Sequence, residues 1–358
     1  MEHSTTALAN RGAANRGILA LEDGRCFPGV SVGFEGISTG EVIFNTAMTG
    51  YQEIITDPSY AGQIVVMTTP QIGNTGVNPE DDESGIKPPI RGLLMRELST
   101  RTSNWRATES LSGFLQRQQI VALSEIDARS LTRHLRQHGT QRAVIASGDW
   151  DSGDGNRVEE LIQKAKELPR LEESDFVETL TVPQPTEWSE PGIEPVSAQK
   201  TVVYDFGVKR SLLRSWALQG KVVLVPATTS AEDVLTMKPD SVVFSNGPGD
   251  PARRTDIVAE AAKLMGKVPI YGVGFGHQLL GIALGAKTHR LPFGHHGTQP
   301  VLHKQTGKAL MTAQNHHFCL LPESLPPEVE ITHINLNDGT IEGFRHRALR
   351  IDSVQFEC

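Results

Sequence analysis

The sequence predicts an α/β protein in two parts, a strand-rich α/β first half and a second half built as a doubly wound, mostly parallel sheet. Two observations predict this. From residue 201 onward, apolar β-branched runs alternate with segments of helical period, the pattern of strand–helix–strand units. Between residues 17 and 70, short apolar runs bounded by turn residues follow one another: GILALEDGRCF, VSVGFEG, EVIFNTAMTG and QIVVMTTP. A third observation separates the halves. Residues 169–200 hold five of the 21 prolines and little periodicity, as an interdomain linker does.

In chain order, residues 1–16 are small and polar and read as a frayed tail. Asp23-Gly24 between apolar stretches signals a hairpin. Leu131 and Leu135 fall one helical turn apart. With Asp127 as N-cap and Gly139 just past the end, they predict a helix. The acidic, turn-rich GDWDSGDGN precedes a short amphipathic helix over residues 158–168. The expected domains are 17–150 and 201–358, joined by a linker region, 151–200. In the second half TVVYDFG, KVVLVPA, DSVVFSN and VPIYGVG read as strands. VKRSLLRSWALQG, SAEDVLTM (capped by Ser230), TDIVAEAAKLMG and HQLLGIALG read as helices. Residues from 301 on read as extra strands. Leu212, Leu213 and Leu218 are expected in the core.

Composition narrows the function. The 358 residues suffice for two domains. Lys+Arg is 34 against Asp+Glu 42, a formal charge of −8 with no basic block, which argues against nucleic-acid binding. Apolar runs such as 64–67 and 222–225 are far shorter than the roughly 20 residues of a membrane span. The N-terminus lacks the apolar core of a secretory signal, and cysteines at 26, 319 and 358 make no disulfide framework, so a cytoplasmic location is expected.

Two loops at strand ends carry chemistry. In FSNGPGDP, Gly247 and Gly249 flank Pro248. The turn offers backbone N–H groups to an oxyanion or carboxylate, or is an ordinary Pro-Gly turn. In YGVGFGHQLLG a strand turns at once into a helix, the layout of a nucleophile elbow. The central residue, however, is Gly274, which has no side chain to attack with. A G-x-G-x-x-G dinucleotide loop fails because the third glycine position is His277. Cys319 is expected to be a buried, inert thiol. The histidines at 277, 289, 295, 296, 303, 316 and 317 are not expected to bind metal, because neighbours on a strand point to opposite faces.

The stretches TGYQEIITDPSY, QIGNTG, SEIDARSLTRHLR, YDFGVKR, SNGPGDP, GHQLLG, GAKTHRLPFGHHG and TAQNHHF closely resemble the small subunit of carbamoyl phosphate synthetase, a class I glutamine amidotransferase. The resemblance implies that 17–150 is the small-subunit domain that docks on a large subunit, and that 201–358 is the amidotransferase domain. It implies glutamine hydrolysis by a Cys nucleophile with a His–Glu pair. The ammonia feeds a large subunit that uses ATP, Mg and bicarbonate to make carbamoyl phosphate for arginine and pyrimidine synthesis. This chain itself would hold no cofactor. Carried over by motif, Ser59, Gly247, Gly249, Phe275, Gln278, Asn315, His317 and Phe318 would contact L-glutamine, with Phe275 in place of a usual Leu and His317 in place of a usual Gly. The departures bear on activity. The nucleophile position is Gly274. The expected His position is Glu357, in VQFEC, and the domain reads as C-terminally truncated. The expectation is a small chain defective in glutaminase. The alternatives are a non-catalytic scaffold supporting an ammonia-dependent large subunit, or a degenerate or frameshifted product.

Overall fold

The computed structural model describes residues 16–148 and 155–357. The expected tail (apart from Arg16), most of the acidic stretch before the 158–168 helix, and Cys358 lie outside the described residues. The chain sorts into two compact units that interleave in sequence. The first takes residues up to Phe44, Gly62–Glu80 and Ile90–Pro169. The second takes Asn45–Ala61, Asp81–Pro89 and everything from Arg170. The linear boundaries read from composition therefore miss two excursions. The expected linker divides as well, its first part joining the first unit and its remainder the second.

The first unit is a closed barrel of β1 (Arg16–Leu21), β2 (Cys26–Ser31), β3 (Gly36–Asn45), β4 (Gln63–Met67), β5 (Gly92–Leu94), β6 (Ala122–Ser124) and β7 (Gln141–Gly148). Their order is β1-β2-β6-β5-β4-β3-β7. The Asp23-Gly24 hairpin forms as read: Ala20 pairs with Cys26, and Gly24 takes φ +93°. Helix α1 (Ala128–His138) is capped as expected, the Asp127 carboxylate accepting from Ser130 N at 2.9 Å. Helix α2 (Gly155–Glu167) begins earlier than the periodicity placed it. Its buried Leu161, Ile162 and Ala165 pack on Ile18, Ala20, Val144 and Ala146 of β1 and β7.

The second unit holds a ten-stranded sheet. Its members are β8 (Thr186–Trp188), β9 (Lys200–Asp205), β10 (Lys221–Pro226), β11 (Ser241–Phe244), β12 (Ile270–Val273), β13 (Thr288–His303), β14 (Lys308–Leu320), β15 (Glu330–Asn335), β16 (Ile341–His346) and β17 (Ile351–Val354). In the order β8-β10-β9-β11-β12-β17-β16-β15-β13-β14, the run β10-β9-β11-β12-β17 is parallel. The strands beyond it are antiparallel. The extra strands start at Thr288, before the expected 301. Helices α3 (Arg210–Gln219), α4 (Ala231–Thr236), α5 (Thr255–Leu264) and α6 (Phe275–Ala283) follow the strands as read, and Ser230 caps α4.

Both faces of the parallel run are covered, which is why its strands are apolar on successive residues. Val202 and Tyr204 enter one core with Phe244, Phe275 and Leu279. Val203 enters the other with Leu213 and Ala217 of α3. The expected core position Leu218 is instead 51% exposed. It lies next to Ala217 on a helix that buries a narrow stripe, so hydrophobicity alone misplaced it. Leu161→Ala removes the centre of the α2 contact and leaves a cavity. We expect a loss of about 2–4 kcal/mol, read as a lower urea midpoint at unchanged slope.

Candidate functional site

The site lies where β9, β11 and β12 end, the crevice expected for an open α/β sheet. Three turns meet there. After β9, the Asp205 carboxylate accepts from Gly207 N at 3.0 Å and Val208 N at 2.9 Å. After β11, Asn246 is 3% exposed and its amide bonds two segments, the Ser59 stretch and the turn after β9. Its Nδ2 donates to Ser59 Oγ at 2.8 Å and to Gly207 O at 3.1 Å, and its Oδ1 accepts from Lys209 N at 3.2 Å. Gly247 follows directly. A Cβ there would stand 2.6 Å from Phe206 O, so only glycine permits this approach. Gly249 sits at φ +99°.

After β12 the chain makes the elbow the sequence outlines. Gly274 has φ +56° and ψ −111°, and α6 starts at the next residue. Its N–H donates to Val354 O at 2.9 Å, and Gly276 N donates to Ser245 O at 2.9 Å, which ties the turn to β17 and to the β11 loop. A Cβ at 274 would meet Asn246 Cβ at 3.5 Å, an ordinary contact. A side chain therefore fits in space, and the cost of having one is the backbone conformation. Phe275, at the first position of α6, has no intrahelical partner for its N–H, which suits an oxyanion.

Gln278 is 2% exposed, and its Nε2 donates to Phe318 O at 2.6 Å and to Gln355 Oε1 at 2.9 Å. Asn315 Oδ1 pairs with His296 Nδ1 at 2.7 Å, while its buried Nδ2 has no partner among the described residues. His317 is 6% exposed and its ring lies 4.7 Å from that of His296. Burial, then the Arg290 charge, lowers the His317 pKa to about 3, so it is neutral. Ser59, Gly247 and Gly274 thus converge on Asn246. Gln278 ties α6 to the β14 end beside Phe318, and Asn315 lies on the adjoining cavity wall.

Glu357, at the expected histidine position, is ion-paired. Its Oε2 lies 2.5 Å from Lys209 Nζ, and its N–H donates to Ala313 O at 3.0 Å. Glu83 stands 3.7 Å from the same ammonium. These groups adjoin a cavity of about 150 Å³ lined by Glu53, Asp57, Tyr60, Lys209, Asn315 and Glu357. Burial opposes the charge on Lys209, but Glu357, Asp57 and Glu83 together hold it protonated well above the usual lysine range. Two carboxylates pair with this ammonium, and a third, Asp57, acts on it at longer range and holds its proton more tightly than an ordinary aspartate. Burial first, and then the Glu357 charge, raises Asp57 to about pH 7. Lys209, Asp57, Glu83 and Asn246 were not singled out in the sequence. Three of them lie inside DPSY, YDFGVKR and SNGPGDP, where charged and amide residues at strand ends are the signal that was available.

The histidines form a second cluster across strands. His295 and His316 face each other in the β13–β14 register, and with Glu342 they bring ligand-type atoms within 4.8 Å of one another. The argument from neighbours along one strand did not anticipate a set drawn from three. Burial disfavours an imidazolium at His295. Asp338 at 2.9 Å and Glu342 at 3.6 Å outweigh it and raise its pKa to about 9, so a proton supplies the positive charge among these carboxylates. Cys319 is fully buried, and burial followed by the Glu342 and Asp338 charges pushes its thiol far above the usual range, the inert state expected.

Residues 19–145 match the family model described as "Carbamoyl-phosphate synthase small chain, CPSase domain". Residues 202–356 match "Glutamine amidotransferase class-I". Among curated proteins, the chain is similar to the "Carbamoyl phosphate synthase small chain" of Syntrophotalea carbinolica, 46% identical over 352 residues covering 95% of this chain and 92% of that one. The protein of the same name from Akkermansia muciniphila is 47% identical over 348 residues, covering 95% and 91%. The chloroplastic small chain of Oryza sativa is 43% identical over 348 residues, covering 94% and 76%. The resemblance read from the motifs is borne out. No helix among the described residues is long and apolar enough to cross a membrane.

Two measurements test the geometry. If Gly274 relieves a strained turn, Gly274→Ala should lower stability by about 0.5–2 kcal/mol, strain outweighing the entropy that alanine removes from the unfolded chain. A raised urea midpoint would place the elbow elsewhere. Asp57 binds its proton more tightly folded than unfolded, so its contribution is complete below about pH 4 and is lost as pH rises through about 7. Asp57→Asn should flatten that decline in urea midpoints taken from pH 4 to 8.

Proposed function

Since the chain belongs to the family of carbamoyl phosphate synthase small chains, we propose that it serves as the small chain of a two-chain synthetase but does not hydrolyse glutamine. It acts as a pseudo-glutaminase scaffold on a cytoplasmic large chain that draws ammonia from solution, with ATP and Mg used by that large chain. The product would be carbamoyl phosphate for arginine and pyrimidine synthesis.

The observation that carries this reading is Gly274. Amide hydrolysis through a thiol ester needs sulfur to attack the carboxamide carbon while ammonia leaves. At this elbow the attacking atom is absent, and Cys319, buried and held protonated, cannot replace it. The second support is Glu357. Where the resemblance implies an imidazole, the chain has a carboxylate with one oxygen held by Lys209 at 2.5 Å. The turn donors at Gly247 and Phe275 would suit an oxyanion, but without a nucleophile no such charge forms.

The test is glutamate release from glutamine, with and without a large chain, beside carbamoyl phosphate formation from ammonium. We expect no release above a Gly274→Ala control, and synthesis supported by ammonium alone. Turnover of glutamine above that control would sink the proposal. Gly274→Cys supplies a thiol at a helix N-terminus and Glu357→His supplies a base. The double variant should exceed either single variant by orders of magnitude in glutamate release, since such groups act as a unit. Small additive gains would contradict these roles.

A further inference from the structure

His295, His316 and Glu342 take no part in the turns that build the glutamine site. Each lies on a different strand of the antiparallel extension, β13, β14 and β16. The two histidines are register partners, and all three side chains are buried. One ligand-type atom of each lies within 4.8 Å of the others. His295 Nδ1 stands 3.6 Å from Glu342 Oε1. Ligands held about 2.1 Å from a tetrahedral ion stand about 3.4 Å apart, so side-chain shifts of about an ångström would seat one.

Both rings are oriented from behind. His295 Nε2 donates to Asp338 Oδ2 at 2.9 Å, and Asp338 is itself held by Thr340 N at 3.1 Å and Thr340 Oγ1 at 2.8 Å. That leaves His295 Nδ1 turned into the cluster, buried and with no hydrogen-bond partner among the described residues. His316 Nδ1 lies 2.9 Å from Phe318 O, which leaves Nε2 on the inner side. A histidine that gives one N–H to a carboxylate or backbone carbonyl and keeps the other nitrogen bare is set as a metal ligand.

The inner side of His316 carries a conflict. Its Nε2 stands 2.9 Å from Gln314 Oε1. The Gln314 amide is fixed that way round, because its Nε2 donates to Glu342 Oε2 at 2.9 Å and to Thr312 Oγ1 at 3.1 Å. Phe318 O and Gln314 Oε1 both accept, and a neutral imidazole has one N–H, so one ring nitrogen turns a lone pair on an oxygen. A second proton is costly in a buried ring 5.0 Å from His295. A cation between these lone pairs resolves the conflict. The charges agree with it. Besides His295, Glu342 is met only by the neutral donors Gln314, Asn335 and Thr340. The His295 proton balances one of the two carboxylates, Glu342 and Asp338, whereas a divalent ion in its place balances both.

We propose that His295 Nδ1, His316 Nε2 and the Glu342 carboxylate bind a divalent transition-metal ion of the zinc class, with Gln314 Oε1 as a fourth donor. Two imidazoles and a carboxylate suit zinc, and not magnesium, which prefers oxygen ligands and keeps its waters. The site is buried and draws on three strands, so the ion is structural: it ties β13 and β14 to β16.

The full-length protein is stripped with EDTA and titrated with ZnCl2 by calorimetry, and its thermal midpoint is read with and without the metal. We expect one equivalent of zinc to bind and to raise the midpoint, and an excess of MgCl2 to do neither. His316→Gln should weaken zinc binding about 100-fold. Asp338→Asn, at a partly exposed carboxylate that touches only the far nitrogen of His295, should weaken it about tenfold, and it decides the matter if His316→Gln does not fold. His303→Gln, in a partly exposed pair with His333 on the same sheet, should bind as wild type. Cobalt in place of zinc should give the visible bands of a nitrogen and oxygen site with no thiolate charge-transfer band. No stoichiometric binding by the wild type overturns the site. So does wild-type affinity in folded His316→Gln or in Asp338→Asn, loss of binding in His303→Gln, or a thiolate band with cobalt.

Discussion

One buried amide organises the candidate site. Asn246 reaches Ser59, Gly207 and the Lys209 backbone at once, and its Cβ forms the floor that a side chain at position 274 would touch. The partners lie on two segments, the turn after β9 and the Ser59 stretch, and the bond to Ser59 spans 187 positions. Leaving any one of these buried groups unmatched costs about 1–3 kcal/mol, so the three turns hold a single arrangement. The elbow, the Gly247 turn and the Ser59 hydroxyl are therefore parts of one construction. It is complete although position 274 carries no side chain.

Beside this neutral hub stands a charged one. Lys209 balances Glu357 and Glu83 directly and lowers the energy of a charge on Asp57 at longer range. A buried ammonium needs such company, since desolvation alone would strip its proton. A glutamate at position 357 adds attraction for Lys209 and at the same time raises Asp57. The substitution is thus read by the whole cluster, and the cavity beside it changes its charge near neutral pH as Asp57 titrates.

What the sequence made legible follows from how local each signal is. Asp127, Ser230 and the Asp23-Gly24 hairpin act within a few residues, and they lie where they were read. The strand–helix alternation likewise fixed the parallel sheet, because each strand must be apolar on both faces. Leu218 lies outside the core because Leu213 and Ala217, with Trp216 packed against them, set the buried stripe of α3 and leave it exposed. The charge cluster and the His295–His316 pair were illegible for a different reason. Their members come from segments scores of residues apart or from facing strands, and single charged residues carry no period. The motif resemblance located Ser59, Gly274 and Gln278, but gave no account of what Lys209 or Glu357 would hold.

The interleaving of the two units has a consequence for how the protein is made. Asn45–Ala61 and Asp81–Pro89 leave the ribosome early, yet Ser59 bonds Asn246 and Glu83 pairs with Lys209, which emerge much later. Ser59 and Glu83 must wait through more than half of synthesis before these partners exist. Closing such long loops is entropically costly and slow. The barrel can meanwhile begin to pair around these two unsatisfied excursions, so the nascent chain exposes them to solvent and to other chains. The segments that end up most deeply committed to the site are, during translation, the ones most in need of protection.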